Sequence, residues 1–171
     1  MKSTEPIIHV GILSHTRIEF ELNGDFRSTD GKVWSGKQKA DYKKGKILFG
    51  GNHFGEIIFY PITKNASFDL VDVIIGINFH WERKENQRFK GALKFIVEDN
   101  KLTAINRINV EEYLTSVISS EMSATASAEL LKAHAVISRS WLLSPLEGAR
   151  GKRQEAKIRH IVRHRKKHRN T

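Results

Sequence analysis

The fold is decided by the stretch INRINVEEYLTSVISSEMSATASAELLKAHAVISRSW, residues 105–141, because the spacing of its apolar residues changes partway along. The first residues alternate as β-strands do, and those after Asn109 recur at helical spacing. The apolar residues at helical spacing are Val110, Leu114, Val117 and Ile118. Asn109 stands at the position of a helix cap, and Glu112 follows at the spacing of a capping box. We therefore expect a helix that begins directly after Asn109.

A second helix follows the first after a short break. The break consists of serine, threonine and alanine at residues 123–127. By its spacing the second helix runs from Ala128 to Leu143, and its many small residues allow a neighbouring backbone to approach closely. Pro145 and Gly148 are expected to end it.

The chain before these helices has the alternation and the turn residues of β-structure, from residue 6 to residue 108. The candidate strands are residues 7–13, 17–22, 47–49, 56–60, 70–79, 89–97 and 102–108. Asn23-Gly24 predicts a hairpin, and the lysine-rich residues 32–46 predict a loop or an exposed hairpin. The chain is therefore expected to be α+β, with a mainly antiparallel N-terminal sheet followed by two packed helices.

Composition excludes several kinds of site. The chain has 171 residues, of which 39% are hydrophobic, so it can bury a core of one domain. It contains no cysteine, which excludes disulfide bonds and thiolate chemistry without assigning a compartment. The first residues contain no apolar run long enough for a signal peptide or a membrane span. The sequence as it stands predicts a cytoplasmic location, although the compartment itself is left open.

Residues 147–171 are strongly basic, and we predict that they are separate from a domain at residues 1–146. Of the net charge of +10, the basic segment holds +8 and the other 146 residues hold +2. His160, His164 and His168 stand four residues apart, but the interleaved arginines and lysines would repel a metal ion. No aromatic or recognition motif accompanies the charge, which disfavours nucleic acid as a partner. We expect no metal ligand here and a solvated, flexible tail, with out-of-frame translation as the alternative.

Glu121 is the candidate catalytic residue because it continues the apolar stripe of the first helix. Steps of three and four residues from Val110 through Leu114 reach Glu121. Desolvation on an apolar face raises the pKa of a carboxyl group and keeps its proton near neutral pH. Such an acid can protonate the oxygen of a glycosidic bond. Two alternatives remain open: a solvated carboxylate at the helix end, or a carboxylate paired with Lys132 or Arg139.

The same stretch resembles the signature of the SpoIID/LytB family, named for stage II sporulation protein D and an amidase enhancer. The matched positions are Asn106, Arg107, Glu111, Glu112, Tyr113, Leu114, Val117, Glu121, Met122, Glu129, Leu131, Lys132, Ala133, Ala135, Val136 and Arg139. Two earlier segments, IHVGIL at residues 8–13 and FKGAL at residues 89–93, resemble strands of the family. The likeness covers most of residues 6–143.

The resemblance implies a lytic transglycosylase that cleaves the glycan strands of peptidoglycan, with Glu121 as the catalytic acid. Such an enzyme leaves 1,6-anhydro ends, because the 6-hydroxyl of the sugar attacks in place of water. One carboxyl group then serves first as acid and afterwards as base, unlike the two carboxylates of hydrolases. Arg139, Lys132 and His134 are expected to contact the substrate, although a structural hydrogen-bonding role is favoured for His134, since a single histidine on a helix is usually structural. No cofactor is expected.

The family domain continues after the second helix with further strands and loops, which residues 144–171 do not resemble. We therefore expect a domain shortened at its C-terminal end, and inactive if its groove requires the rest. The rival interpretation is a non-catalytic wall-binding module that stimulates another cell-wall hydrolase. A basic nucleic-acid-binding protein is the third interpretation and the least favoured.

Overall fold

A computed structural model describes residues 5–75, 82–121, 126–147 and 157–159, which form a sheet followed by two helices. The strands are β1 (Ile7–His15), β2 (Arg17–Ser28), β3 (Val33–Lys43), β4 (Lys46–Phe49), β5 (Asn52–Phe54), β6 (Glu56–Pro61), β7 (Ser67–Ile75), β8 (Arg83–Lys90), β9 (Ala92–Glu98), β10 (Lys101–Asn109) and β11 (Lys157–Arg159). The helices are α1 (Val110–Glu121) and α2 (Ala128–Glu147). The α+β prediction is confirmed.

The strands lie in the order β11-β1-β10-β9-β6-β2-β3-β4-β5, and β7 branches from β2 to pair with β8. These pairs are antiparallel except that of β11, which runs parallel to β1. The sheet branches at an irregularity in β2 between Leu22 and Phe26. Before this point β2 pairs with β7, and after it Phe26 lies opposite Pro61 of β6.

Alternation of side chains along the strands directs one apolar face into a common core. The ring centroid of Phe20 lies 5.1 Å from that of Phe95 and 5.6 Å from that of Phe59. Burial of each such ring contributes about 1.5–3 kcal/mol. The buried members of this cluster, which we call the sheet core, are Ile18, Phe20, Leu22, Phe26, Ala40, Ile47, Phe49, Ile57, Phe59, Ala66, Phe68, Leu70, Val73, Leu93, Phe95, Leu102 and Ala104.

A second, smaller cluster joins the helices to the sheet. Its buried members, the helix cluster, are Ile8, Val10 and Ile108 of the strands and Val110, Leu114 and Leu142 of the helices. Val110 is 1% exposed and Leu114 is 4% exposed, so the predicted apolar stripe is confirmed at these two positions. The helical pair therefore packs on the part of the sheet formed by β1 and β10.

The predicted hairpin at Asn23-Gly24 is wrong, because β2 continues through it to Ser28. Gly24 has a φ of 102°, and a Cβ at this position would lie 3.2 Å from the Cβ of Ala66. The glycine therefore permits the irregularity in β2 and a close contact with the segment that precedes β7. The chain reverses instead at residues 29–32, where the N–H of Gly31 donates to the carbonyl of Ser28 over 2.8 Å.

The lysine-rich residues 32–46 were expected to be a loop or an exposed hairpin, and the second alternative is correct: β3 reverses at residues 44–45 and pairs with β4. Every second side chain along most of β3 is exposed. The polar residues of this segment therefore form the solvated face of a strand. The predicted strand at residues 89–97 is divided into β8 and β9 by Gly91, which has a φ of 88°. Of the predicted strand at residues 70–79, the part after residue 75 lies outside the described residues.

α2 continues to Glu147 and passes the position at which Pro145 was expected to stop it. A proline in a helix removes one backbone hydrogen bond. Because only two residues of α2 follow Pro145, the loss of this bond does not end the helix earlier. Gly148 lies outside the described residues.

Candidate functional site

The start of α1 is fixed by the segment that precedes β1. The N–H of Val110 donates to the carbonyl of Pro6 over 3.0 Å, and the N–H of Glu111 donates to Oε1 of Glu5 over 2.8 Å. Glu5 thus takes the role expected of Asn109, and its negative charge lies favourably at the N-terminus of the helix. The helix begins where the sequence predicts, but a residue 106 positions away caps it.

The start of α2 is capped by Ser127, whose Oγ accepts a hydrogen bond from the N–H of Leu130 over 3.2 Å. Arg139, twelve residues after Ser127, contacts the first turn of α1. Its Nε and Nη2 donate to the two carboxylate oxygens of Glu111 over 2.8 and 2.5 Å. The C-terminal half of α2 therefore lies beside the N-terminus of α1, and the two helices run in opposite directions.

The ion pair between Glu111 and Arg139 holds both groups in their charged states. The hydrogen bond from Arg139 lowers the pKa of Glu111, and the same bond raises the pKa of Arg139. The contact gives Glu111 a structural role, since it joins the first turn of α1 to α2. The alternative in which Arg139 pairs with Glu121 is not what the structure shows, since Arg139 binds at the opposite end of α1.

Glu121 is the last residue of α1. The helix rises about 1.5 Å per residue, so Glu121 lies roughly 15 Å along the axis from Glu111. Unbroken helix from Val110 to Glu121 keeps Glu121 in phase with the buried positions Val110 and Leu114. The side chain of Glu121 itself lies outside the described part of the structure, as do residues 122–125.

The three candidate substrate contacts are spread along α2. Lys132 is exposed near the start of the helix, which is the end nearer to Glu121 in the antiparallel pair. His134 is half-buried, and its Nδ1 lies 3.3 Å from Oγ of Ser138 one turn later. Arg139 binds Glu111. The backbone therefore places Lys132 closest to Glu121 and Arg139 farthest from it, and their roles toward a substrate remain predictions.

A small cleft lies at the other end of α1, and the sequence analysis did not anticipate it. Its volume is about 210 Å³. Its lining residues are Pro61, Thr63, Asn65, Ala66, Lys90, Gly91 and Glu112. Glu112, which the sequence places at the spacing of a capping box, shares this cleft with Lys90. No spacing rule could have shown this, because the strand ends and the helix meet only in the folded chain.

Metal and membrane sites are absent from the described ranges. No group of three or more His, Asp or Glu side chains there is close enough to hold a metal ion. Neither α1 nor α2 has the length and apolar character required to cross a membrane. The histidines at positions 160, 164 and 168 lie outside the described residues, so the prediction about them stays a prediction.

Residues 98–170 match the family model described as SpoIID, stage II sporulation protein. The match contains residues 105–141, which carry most of the sequence resemblance, and thereby confirms the resemblance. The two earlier segments, at residues 8–13 and 89–93, lie outside the matched range. The match indicates a role related to the cell wall. It also includes most of the basic residues 147–171, for which the sequence analysis found no counterpart in the family. No curated protein and no solved structure matches the chain.

Proposed function

From the match of residues 98–170 to the SpoIID family, we propose that the protein is a lytic transglycosylase that cleaves the glycan strands of peptidoglycan. Glu121 is the proton donor to the glycosidic oxygen. The transition state has the character of an oxocarbenium ion. Glu121 then takes the proton of the sugar 6-hydroxyl as that oxygen attacks, and a 1,6-anhydro end results. No second carboxylate is required, because one group gives a proton and later accepts one.

The observation that carries this proposal is the position of Glu121 on α1. Val110 and Leu114, which precede it on the same stripe, are almost fully buried. Helical phase places the backbone of Glu121 on the same side of α1 as these two residues, and removal of a carboxyl group from water favours its protonated form. The other acidic residues of α1 do not offer this environment. Glu111 is held as a carboxylate by Arg139, and Glu112 is exposed.

Lys132 and Arg139 have different roles in this proposal. Lys132 is the exposed cation nearest to Glu121 along α2 and contacts the glycan beside the cleaved bond. Arg139 fixes α2 against α1 through Glu111, so it positions Lys132 and contacts glycan only with its remaining N–H donors. His134 contributes through its hydrogen bond within α2.

The test is product analysis with the purified full chain. Glycan strands, with and without their peptides, are incubated with the protein, and the ends are identified by mass, since an anhydro end is one water lighter than a hydrolysed end. We expect Glu121→Gln to reduce the formation of anhydro ends about 10²- to 10⁴-fold, because proton transfer is lost. The matched control is Glu129→Gln, which changes an exposed acid on α2 and should retain activity.

Three outcomes would count against this function: hydrolysed ends, no new ends from the wild-type protein on either substrate, or full activity of a folded Glu121→Gln variant. The first would replace the transglycosylase reaction with hydrolysis. The second would leave a non-catalytic module, and the third would move the acid to another residue.

A non-catalytic module that stimulates another cell-wall hydrolase is the second candidate, and one feature favours it. α2 leaves large apolar side chains exposed: Leu130, Val136, Ile137 and Trp141 are 53%, 59%, 68% and 73% exposed. Several large apolar side chains exposed on one helix are typical of a surface that contacts another protein. Stimulation of a purified amidase by the wild-type chain, lost in Ile137→Glu but kept in Glu121→Gln, would establish this function.

A further inference from the structure

Arg107 lies on the face of the sheet that turns away from the helices. Ile8 and Ile108 belong to the helix cluster and face α1 and α2. Side chains alternate along a strand, so His9 and Arg107 occupy the opposite face, where the two residues are also direct partners in the β1–β10 register. This position separates them from Glu121 and its surroundings.

The hydrogen-bond partners of Arg107 come from two other strands. Its Nε donates to Nε2 of His9 over 3.1 Å, and its Nη1 donates to the hydroxyl of Tyr60 over 2.9 Å. The guanidinium carbon also lies 5.6 Å from the centroid of the Tyr60 ring. Neither an imidazole nor a phenol hydroxyl that accepts a hydrogen bond is a carboxylate, so these two contacts do not pair Arg107 with an acidic side chain.

Arg107 has no carboxylate partner among the described residues, although its side chain is half-buried. Other arginines do have one: Arg17 pairs with Asp41, Arg88 with Asp69 and Arg139 with Glu111. Cations removed from water are normally paired with an anion. A guanidinium has five N–H donors, of which His9 and Tyr60 take two, so three remain for an anionic ligand.

The surroundings of Arg107 combine positive charge with apolar surface. Tyr60 is 41% exposed, and Ile7, which shares the face of His9 by alternation, is 50% exposed. The guanidinium of Arg107 itself supplies the positive charge. A planar carboxylate fits the fork of a guanidinium, and the apolar group attached to it can lie against Ile7 and the ring of Tyr60.

We propose that Arg107, Tyr60 and His9 form a binding site for a carboxylate attached to an apolar group, such as the end of a peptide or an acylated amino acid. The carboxylate accepts hydrogen bonds from the free N–H groups of Arg107 and from none of the residues assigned to cleavage. The site is therefore independent of the proposed transglycosylase reaction, and it stands if that reaction is disproved.

The experiment is a titration of the full chain, followed by NMR of the His9 and Tyr60 rings and by calorimetry. The probes are N-acetylalanine, its neutral amide and inorganic phosphate. We expect binding of N-acetylalanine, at least about tenfold weaker binding of the amide, and a similar loss in Arg107→Gln, because a charge-assisted hydrogen bond is removed. Arg107→Lys, which keeps the charge but not the fork, should bind with intermediate affinity.

The control variant is Arg88→Gln, which removes one positive charge from another strand and should leave binding unchanged. Thermal unfolding of each variant separates loss of the site from loss of the fold, and Arg107→Lys serves as the test if Arg107→Gln does not fold. Equal binding of the acid and the amide, or no binding of the acid by the wild-type chain, would overturn the proposal. Tighter binding of phosphate than of N-acetylalanine would overturn the assignment to a carboxylate.

Discussion

The sheet and the helical pair differ in how much apolar surface holds each in place. Among the described residues the sheet core contains seventeen buried residues, six of them phenylalanines, whereas the helix cluster contains six residues and no aromatic one. Apolar burial is the dominant stabilising contribution, so the sheet determines the fold and the helices are the part that opens most readily. The candidate acid Glu121 therefore lies on the less stable of the two regions.

The tryptophans of the two regions show the same difference. The ring of Trp34 packs edge-on against that of Phe49 with a centroid distance of 4.7 Å, and its Nε1–H donates to Oγ of Ser28 over 2.9 Å. Trp141 on α2 is 73% exposed. Trp34 is thus packed within the sheet, whereas the ring of Trp141 on α2 lies mostly in solvent.

The largest effect on stability is expected at the centre of the sheet core. Phe20→Ala should lower the free energy of unfolding by about 3–5 kcal/mol, because it removes a ring that three other rings contact and leaves a cavity. Urea unfolding followed by fluorescence measures this change. Val33→Ala, at a 52% exposed position on β3, is the control and should stay within about 0.5 kcal/mol of the wild type. A loss below 1 kcal/mol in Phe20→Ala would contradict the assigned centre.

In the helix cluster, Leu142→Ala should have a smaller and local effect. Leu142 is 3% exposed and contributes the only member of the cluster from α2 among the described residues. We expect a loss of roughly 2–3 kcal/mol, at the lower end for a buried leucine because the surrounding cluster is small. Hydrogen exchange should accelerate in α2 while the amides of β2, β6 and β9 keep their protection. Equal acceleration in the sheet would show that the two regions unfold as one unit.

Two glycines with similar backbone angles test how closely β9 approaches β10. Gly91 has a φ of 88°, and a Cβ there would lie 2.5 Å from the carbonyl oxygen of Arg107. Gly31 has a φ of 86° and no heavy atom within 4 Å of that position. Gly31→Ala should cost about 1 kcal/mol from backbone strain alone, and Gly91→Ala should exceed it, reaching about 1–3 kcal/mol. Equal losses in urea unfolding would mean that the close approach does not matter.

What the sequence predicts well in this chain is local. Apolar spacing predicts the start of α1, most of the strands and the order of sheet before helices. Each of these features depends on residues that are close together in the sequence. The failures have two sources. Asn23-Gly24 is a strong hairpin signal, yet pairing of β2 with both β6 and β7 overrides it. The charged composition of β3 left a loop and an exposed hairpin equally open for residues 32–46, because one face of the strand is solvated.

The contacts that position the site are not local, and the sequence predicts none of them. Glu5 caps α1 from 106 residues away, Arg139 reaches Glu111 across 28 residues, and Arg107 meets His9 across 98. Such partners follow from strand register and helix packing, which a residue pattern does not contain. Glu121 as the acid, and the division of the chain before residue 147, stay predictions.

The smallest expected effect concerns the pH dependence of the contact between Glu111 and Arg139. Because Arg139 lowers the pKa of Glu111 in the folded chain, the pair stabilises the helical pair at pH values above the ordinary pKa of a glutamate, about 4.3. This contribution is lost as the pH falls through the lowered folded pKa. Hydrogen exchange in α2 should therefore be slower in the wild type than in Glu111→Gln near pH 7, and the difference should vanish in acid.

Asp69 and Arg88 provide the matched pair in the sheet, since two hydrogen bonds from Arg88 likewise lower the pKa of Asp69. Protonation of Asp69 should leave exchange in β7 almost unchanged, because Phe68 and Leu70 on either side of it are fully buried in the sheet core. Asp69→Asn should accordingly change exchange in β7 near pH 7 by less than Glu111→Gln changes exchange in α2. Acid could instead accelerate hydrogen exchange in β7 as strongly as in α2. That result would show that burial in the sheet core does not determine local stability, and that apolar burial is not what distinguishes the two regions.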